Sequence, residues 1–266
     1  MIPHPTDGAG APDALGLPQC LRRPDAAVSL YCLPFLGESA DFYHPLCRAL
    51  PQWIEARPVE LPGHGTRREE PAIRDGHLLA HHLADIISTD DPRRPFALFG
   101  HCSGGLIAFE TARLLNQRRQ YRPLLLAVSA LCPPPLIAGL IRKLSPRQVA
   151  RLCTELAGHR ALRQASSHAI IAGDFLIPLR YHYRNDTPLP CPISTFTGQN
   201  DPIMHADSMT SWNSLTSHRV RNRIYPGGHF YITHHWTDVA RNLTHDLSTT
   251  LRQSPAPGPS PPPPPS

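Results

Sequence analysis

Cys102, Asp201 and His229 are three residues whose types and order suit the cleavage or transfer of an acyl group. Cys102 stands in Gly100-His101-Cys102-Ser103-Gly104-Gly105, between the apolar run Phe96-Ala97-Leu98-Phe99 and a helical pattern. Strand, sharp turn and helix in that order make a nucleophile elbow, whose flanking glycines allow the tight turn; serine is its usual centre, and here the centre is a thiol. Ser103 comes one place too late and is expected to point away along the helix. Thiolate, not thiol, attacks a carbonyl, so the cysteine needs a base beside it. His229, in Pro226-Gly227-Gly228-His229-Phe230, can take the proton. Asp201, in Gly198-Gln199-Asn200-Asp201-Pro202, can hold the imidazole in the right tautomer and stabilise its positive form. The chain order nucleophile, acid, base is the one expected when each sits on a strand-end loop of an α/β sheet. The oxyanion of the tetrahedral intermediate needs two N–H donors. Ser103 is the candidate for one, and Leu36, or else Phe35, in the loop after the first strand, for the other. Phe35, His101 and Phe230 are candidate pocket residues, while His64 and Arg67 read as solvated loop residues. Taken singly, each triad member has a plain reading: a buried cysteine, one histidine of sixteen, a turn aspartate before proline. The three together, each in its expected loop, are far more specific.

The elements that would position them follow from the apolar pattern. Strands are expected at 27–33, 54–61, 96–101, 124–131, 193–197 and 218–225, and helices at 41–50, 75–88, after the elbow, at 205–215 and at 236–251. Strands alternating with helices predict an α/β fold with a mostly parallel sheet and helices on both faces. The active residues then belong at the C-terminal ends of the strands. From about 136 to 188 the rhythm breaks into short helical patterns (145–157, 159–167 and 170–183), as in a helical lid inserted over a hydrolase sheet. Residues 1–26 read as a flexible tail, 27–252 as one domain, and 253–266 as a proline-rich disordered tail.

Composition excludes several classes. The chain has 266 residues, 41% hydrophobic and 18% charged, which suits one globular domain. No apolar run approaches membrane-spanning length, and Met1–Leu17 lacks a secretory signal pattern, so a cytoplasmic protein with no membrane partner is expected. Seven cysteines with no Cys-x-x-Cys pair argue against a disulfide framework and a thiolate zinc site. Cys32, Cys47, Cys132, Cys153 and Cys191 read as core fillers. The neighbouring histidines His81-His82 and His234-His235 would face different ways on a helix, so neither pair looks like a metal site. No cofactor is expected. The formal charge is +5, carried by arginines in scattered pairs (Arg22-Arg23, Arg67-Arg68, Arg93-Arg94, Arg118-Arg119). No nucleic-acid motif accompanies them, and docking to an acidic protein suits them better, beside the plain reading of solvated faces.

Over residues 30 to 245 the chain resembles the type II, or editing, thioesterases of polyketide and nonribosomal peptide pathways. The resemblance rests on Leu33-Pro34-Phe35-Leu36-Gly37, Leu61-Pro62-Gly63-His64-Gly65, Phe99 to Gly105, Ala108-Phe109-Glu110-Thr111-Ala112-Arg113, Asp201-Pro202, Trp212 and Pro226 to Phe230. It implies an α/β-hydrolase fold, a helical lid over an acyl pocket, and a monomer that takes its substrate from the phosphopantetheine arm of an acyl or peptidyl carrier protein. The sequence departs from that family at several points. Serine is usual at 102, a methionine-like residue at 103, and arginine where His64 stands. Leu36-Gly37-Glu38 replaces an alanine-glycine-glycine stretch, and the segment resembling Ala172-Gly173-Asp174-Phe175 normally has arginine before the alanine. With cysteine the acyl-enzyme is a thioester, as activated as the incoming substrate, which suits hydrolysis, transfer and ring closure alike. The rival readings are a dienelactone-hydrolase-like or polyester-synthase-like enzyme, and a non-catalytic module that captures carrier proteins.

Overall fold

A computed structural model describes residues 22–35, 37–91, 93–118, 122–148, 165–203 and 206–253. Six strands form one sheet: β1 (Val28–Leu33), β2 (Ile54–Pro58), β3 (Phe96–His101), β4 (Leu126–Ser129), β5 (Ile193–Gly198) and β6 (Val220–Tyr225). All neighbours run parallel, in the order β2-β1-β3-β4-β5-β6. The first five strands are buried along their whole length, as strands covered on both faces must be. The edge strand β6 is half-exposed and carries Arg221 and Arg223, charges that discourage edge-to-edge pairing. The helices are α1 (His44–Ala49), α2 (Gly76–Asp90), α3 (Ser103–Gln117), α4 (Pro134–Lys143), α5 (Ala165–Asp174), α6 (Leu176–Arg180) and α7 (Trp236–Gln253). Leu79 and Leu83 of α2 and Leu106 and Phe109 of α3 join the core on one face of the sheet. Leu46 of α1 and Val239 and Leu243 of α7 join the core on the other. No helix among the described residues is long and apolar enough to cross a membrane.

This is the expected α/β fold, with differences that have local causes. The predicted helix 41–50 is a 3-10 turn, Ala40–Tyr43, followed by α1, which Pro45 opens at a position where the missing N–H costs nothing. The predicted helix 170–183 is α5 and α6, broken at Phe175; Pro178 lacks the N–H that would have bonded to the Asp174 carbonyl. The predicted helix 205–215 is a 3-10 helix, Ala206–Leu215, anchored by the fully buried Trp212 edge-on to Phe109. The expected N-terminal tail is pinned at its end: Arg23 donates to the carbonyls of Cys47, Leu50, Pro51 and Ile54. The remainder of that tail, the C-terminal tail, and most of the helical patterns at 145–157 and 159–167 lie outside the described residues.

The sheet order reverses between β1 and β3, so the loops leaving those strands diverge and open a crevice at their C-terminal ends. The β3–α3 turn sits there. Its compactness depends on missing Cβ atoms: one at Gly100 would overlap the Gly104 backbone, and one at Gly104 would overlap the carbonyls of Leu33 and Pro34. Gly104→Ala is therefore expected to cost about 3 kcal/mol or more, since the obstacle is backbone. Gly139→Ala, in α4 with nothing within 4 Å, is expected to hold or gain up to about 1 kcal/mol. Chemical denaturation of both variants checks the pair, and equal losses would contradict this account of the turn.

Candidate active site

Cys102 joins β3 to α3 with φ 52° and ψ −123°. A non-glycine residue at positive φ is strained, and here the strain lifts the side chain off the sheet at the helix N-terminus. The turn is held by Cys102 N–H to Ser129 C=O (2.8 Å) and Gly105 N–H to Cys102 C=O (3.0 Å). Ser103 is the first residue of α3, where backbone N–H groups have no partner within the helix. It is buried and lines the cavity beside Cys102.

Asp201 and His229 come from the loops after β5 and β6, which are tied to each other. Gln199 N–H donates to Tyr225 C=O (2.7 Å) and Asn200 N–H to Gly227 C=O (2.9 Å). A Cβ at Gly198 would overlap the Gly228 backbone, so the two loops touch directly. Across this junction His229 Nδ1 lies 2.9 Å from Asp201 Oδ2. The other carboxylate oxygen, Oδ1, accepts from Ile203 N–H at 2.9 Å. Both side chains are almost wholly buried. Burial alone would lower the imidazole pKa, but the Asp201 charge, the neighbouring Cys102 sulfur and their hydrogen bonds outweigh it, holding His229 well above its ordinary value.

Cys102, Ser103 and His229 open onto a cavity of about 360 Å³. Its walls are apolar: Ile137, Leu140, Ile141 and Leu144 of α4 and the residue after it, with Phe175, Pro178 and Leu179 around α6. Sequence reasoning missed α4 because three consecutive prolines looked like a stop. The signals were present: proline at the first helical position, then apolar residues at i, i+3, i+4 and i+7.

The other expected site residues fall out differently. Phe35, His101 and Phe230 do not line this cavity. They pack on one another, with ring centroids 5.1 to 5.4 Å apart. His101 is fully buried and pairs through Nδ1 with Ser129 Oγ (2.8 Å), which in turn pairs with the Tyr231 hydroxyl (2.7 Å). Leu36 lies outside the described residues. His64 is not a solvated loop residue: it is 4% exposed, with Nε2 2.8 Å from Asp174 Oδ2. Arg67 is turned inward to the Glu60 carbonyl and to Glu70. Among the arginine pairs, Arg23, Arg94 and Arg118 are likewise engaged by the protein itself. Cys32, Cys47, Cys132 and Cys191 are buried as expected, although Cys132 also forms part of the cavity wall. No group of three or more potential metal-binding side chains occurs among the described residues.

Residues 28–247 match the profile of the thioesterase domain family. The chain is 31% identical over 234 residues to thioesterase PikA5 of Streptomyces venezuelae, covering 85% of this chain and 83% of that protein. It is 29% identical to the gramicidin S biosynthesis protein GrsT of Aneurinibacillus migulanus, covering 78% and 84%. Among solved structures, the type II thioesterase BorB from the borrelidin biosynthetic cluster superposes with a TM-score of 0.75 at 30% identity, covering 85% of this chain and 96% of that one.

Two outcomes follow from the geometry. Cys102 is partly exposed at the cavity, whereas burial pushes the thiols of Cys132 and Cys191 up to about 12. Iodoacetamide is expected to label Cys102 ahead of Cys32, Cys47, Cys132 and Cys191 in peptide mapping, and Cys132 labelling first would contradict the placement. The raised pKa of His229 means that its ion pair contributes stability fully below about pH 6.5 and loses it as pH rises through the higher folded value. Asp201→Asn should therefore lower the Tm by more near pH 6 than in alkaline buffer. Equal losses at both would show that the pair is not held charged.

Proposed function

The chain belongs to the thioesterase domain family and is a hydrolase acting on thioesters, and from that premise we propose that Cys102 is its nucleophile and that its substrates are acyl or peptidyl chains carried by the phosphopantetheine arm of carrier proteins in polyketide or nonribosomal peptide assembly. The observation that carries the reading is the 2.9 Å Asp201–His229 contact beside a thiol at the mouth of an apolar cavity. The pathways named for the relatives support the substrate class.

In this reading the Cys102 sulfur attacks the thioester carbonyl as His229 takes its proton. Asp201 keeps Nδ1 of the imidazole occupied and stabilises the charge. The oxyanion is met by the Ser103 N–H and by a second N–H from the loop after β1, for which Leu36 is the candidate. The intermediate collapses, the C–S bond to the carrier arm breaks, and His229 returns the proton to the departing thiol. Water, deprotonated by His229, then attacks the acyl-Cys102 thioester and releases the acid and the free thiol. Helices α4, α5 and α6 act as the lid, and the apolar lining from α4 and the segment around α6 selects an aliphatic chain. Arg142, Lys143 and Arg180, exposed beside the cavity walls, suit an acidic carrier protein. The thiol itself favours a second reading, specialised release by transfer or ring closure, because the acyl-enzyme stays activated toward amines and alcohols.

Two experiments test this. Carrier-bound substrates should exceed short acyl-thiol analogues in kcat/KM, with an advantage that shrinks as salt screens the surface charges; equal use at low salt would point to a free small-molecule substrate. Cys102→Ser should keep hydrolysing at a useful rate if hydrolysis is the natural reaction, whereas under transfer or cyclisation it should load, stall and leak free acid. Product analysis with intact-protein mass separates the two. A serine variant giving the same product at a similar rate would remove any special role for the thiol.

A further inference from the structure

Two thiols face the acyl cavity. Cys132 lines it as Cys102 does, and nothing in the reaction above uses the Cys132 sulfur. The two residues follow adjacent parallel strands. His101 of β3 is opposite Ser129 of β4, and the Cys102 N–H donates to the Ser129 carbonyl at 2.8 Å. Neighbouring strands run about 4.8 Å apart, so the chain leaving β4 starts within one strand spacing of the elbow. Ala130, at φ 49°, turns that chain, and Leu131 packs on the first turn of α3: a Cβ at Gly105 would lie 3.2 Å from its side chain. Cys132 follows directly and faces the same cavity as Cys102.

The two thiols differ as a sulfur that is oxidised and a sulfur that resolves it should differ. Cys102 is partly exposed, so a small oxidant reaches it first, whereas Cys132 is 3% exposed. The Cys132 thiol is pushed up to about 12, first by burial and then by the nearby charges of Cys102 and Asp201, so it stays protonated and leaves direct oxidation to Cys102. A sulfenic acid condenses with a neighbouring thiol to a disulfide; without one it goes on to sulfinic and sulfonic acids, which a thiol reductant does not reverse. A serine at position 102 could follow neither course.

We propose that Cys102 and Cys132 form a reversible oxidative modification site, in which peroxide oxidises the Cys102 sulfur and the Cys132 thiol then closes a disulfide within the cavity, blocking acyl loading until a thiol reductant opens it. In the first step the Cys102 sulfur attacks one peroxide oxygen and the O–O bond breaks. The sulfur is oxidised by two electrons to a sulfenic acid, and the departing hydroxide takes up the proton that the thiol gave up, forming water. In the second step the Cys132 sulfur attacks the Cys102 sulfur, the S–O bond breaks, and hydroxide leaves with the Cys132 proton as a second water. Two thiols and one peroxide thus give one disulfide and two waters. The loss of turnover, though not the disulfide itself, rests on the reading of Cys102 as the nucleophile.

The test treats the reduced full chain with hydrogen peroxide, blocks the remaining thiols with N-ethylmaleimide, digests without reductant and maps linked peptides by tandem mass spectrometry. Hydrolysis of an octanoyl thioester of N-acetylcysteamine is followed before treatment, after it, and after dithiothreitol. The expected result is a link between the peptides containing Cys102 and Cys132, a fall in turnover of about tenfold or more, and recovery of most of it with dithiothreitol. Cys132→Ser, with each rate taken relative to its own untreated sample, should lose turnover as well but recover severalfold less, with Cys102 found as sulfinic or sulfonic acid. If that variant does not fold, the linkage map and the recovery of the parent decide alone. A parent in which Cys102 is linked to a different cysteine, or is over-oxidised with no link to Cys132, overturns the proposal. So does a folded serine variant that recovers as fully as the parent. A Cys102–Cys132 link formed with turnover intact would establish the pair and refute Cys102 as the nucleophile, so the two readings fail separately.

Discussion

Between β3 and α3 the backbone passes from strand to helix through one residue, and the rest of the site is arranged around that passage. Cys102 takes a positive φ, a conformation that costs about 1–3 kcal/mol for a residue with a side chain. It is imposed by the close approach of Gly100 to Gly104 and of Gly104 to the end of β1, where no Cβ fits. The fully buried β3 and the mostly buried α3 hold the two ends in place. The outcome is a sulfur raised above the sheet, at a helix N-terminus, beside the crevice created by the change in strand order. Asp201 and His229 come to it from the loops after β5 and β6, and the backbone bonds between those loops hold the Asp201–His229 contact in place.

Electrostatics then shapes the histidine beside this thiol. His229 is buried, which disfavours its charge, yet Asp201 and the nearby sulfur reverse the balance and raise its pKa above the ordinary value. Burial drives Cys32, Cys132 and Cys191 toward the neutral thiol. In the proposed reaction a sulfur nucleophile also changes the energetics of loading. A thioester exchanges for a thioester, so the first step is close to isoenergetic, and the acyl group remains reactive while the lid and its apolar wall surround it.

The parts of the molecule that were legible in the sequence are those encoded by local residue type. The strands are apolar runs ended by glycine and proline, the elbow is a glycine pattern, and Asp201 and His229 sit in turn-rich loops at predictable places in the strand–helix alternation. What stayed hidden depends on contacts between distant segments. His64 and Asp174 are 110 positions apart, and neither neighbourhood signals a partner; on its own, a histidine in a Pro-Gly-His-Gly loop reads as solvated. Phe35, His101 and Phe230 were expected as pocket residues, and their loop positions did not reveal that the three rings pack on one another. In the lid, α4 was masked by its own prolines, and one apolar pattern became two helices because Pro178 interrupts the hydrogen-bond ladder.

The central claim is that the acyl group passes through Cys102, and trapping it there is the most direct measurement. The parent enzyme would be mixed with an acylated carrier protein, acid-quenched within the first turnover and digested, and the acyl mass located by tandem mass spectrometry. The account predicts an adduct on the peptide containing Cys102, fragmenting to that residue and removed by neutral hydroxylamine as a thioester should be. An adduct on Ser103, or turnover with no acyl-enzyme when release is slowed enough for one to accumulate, would contradict it.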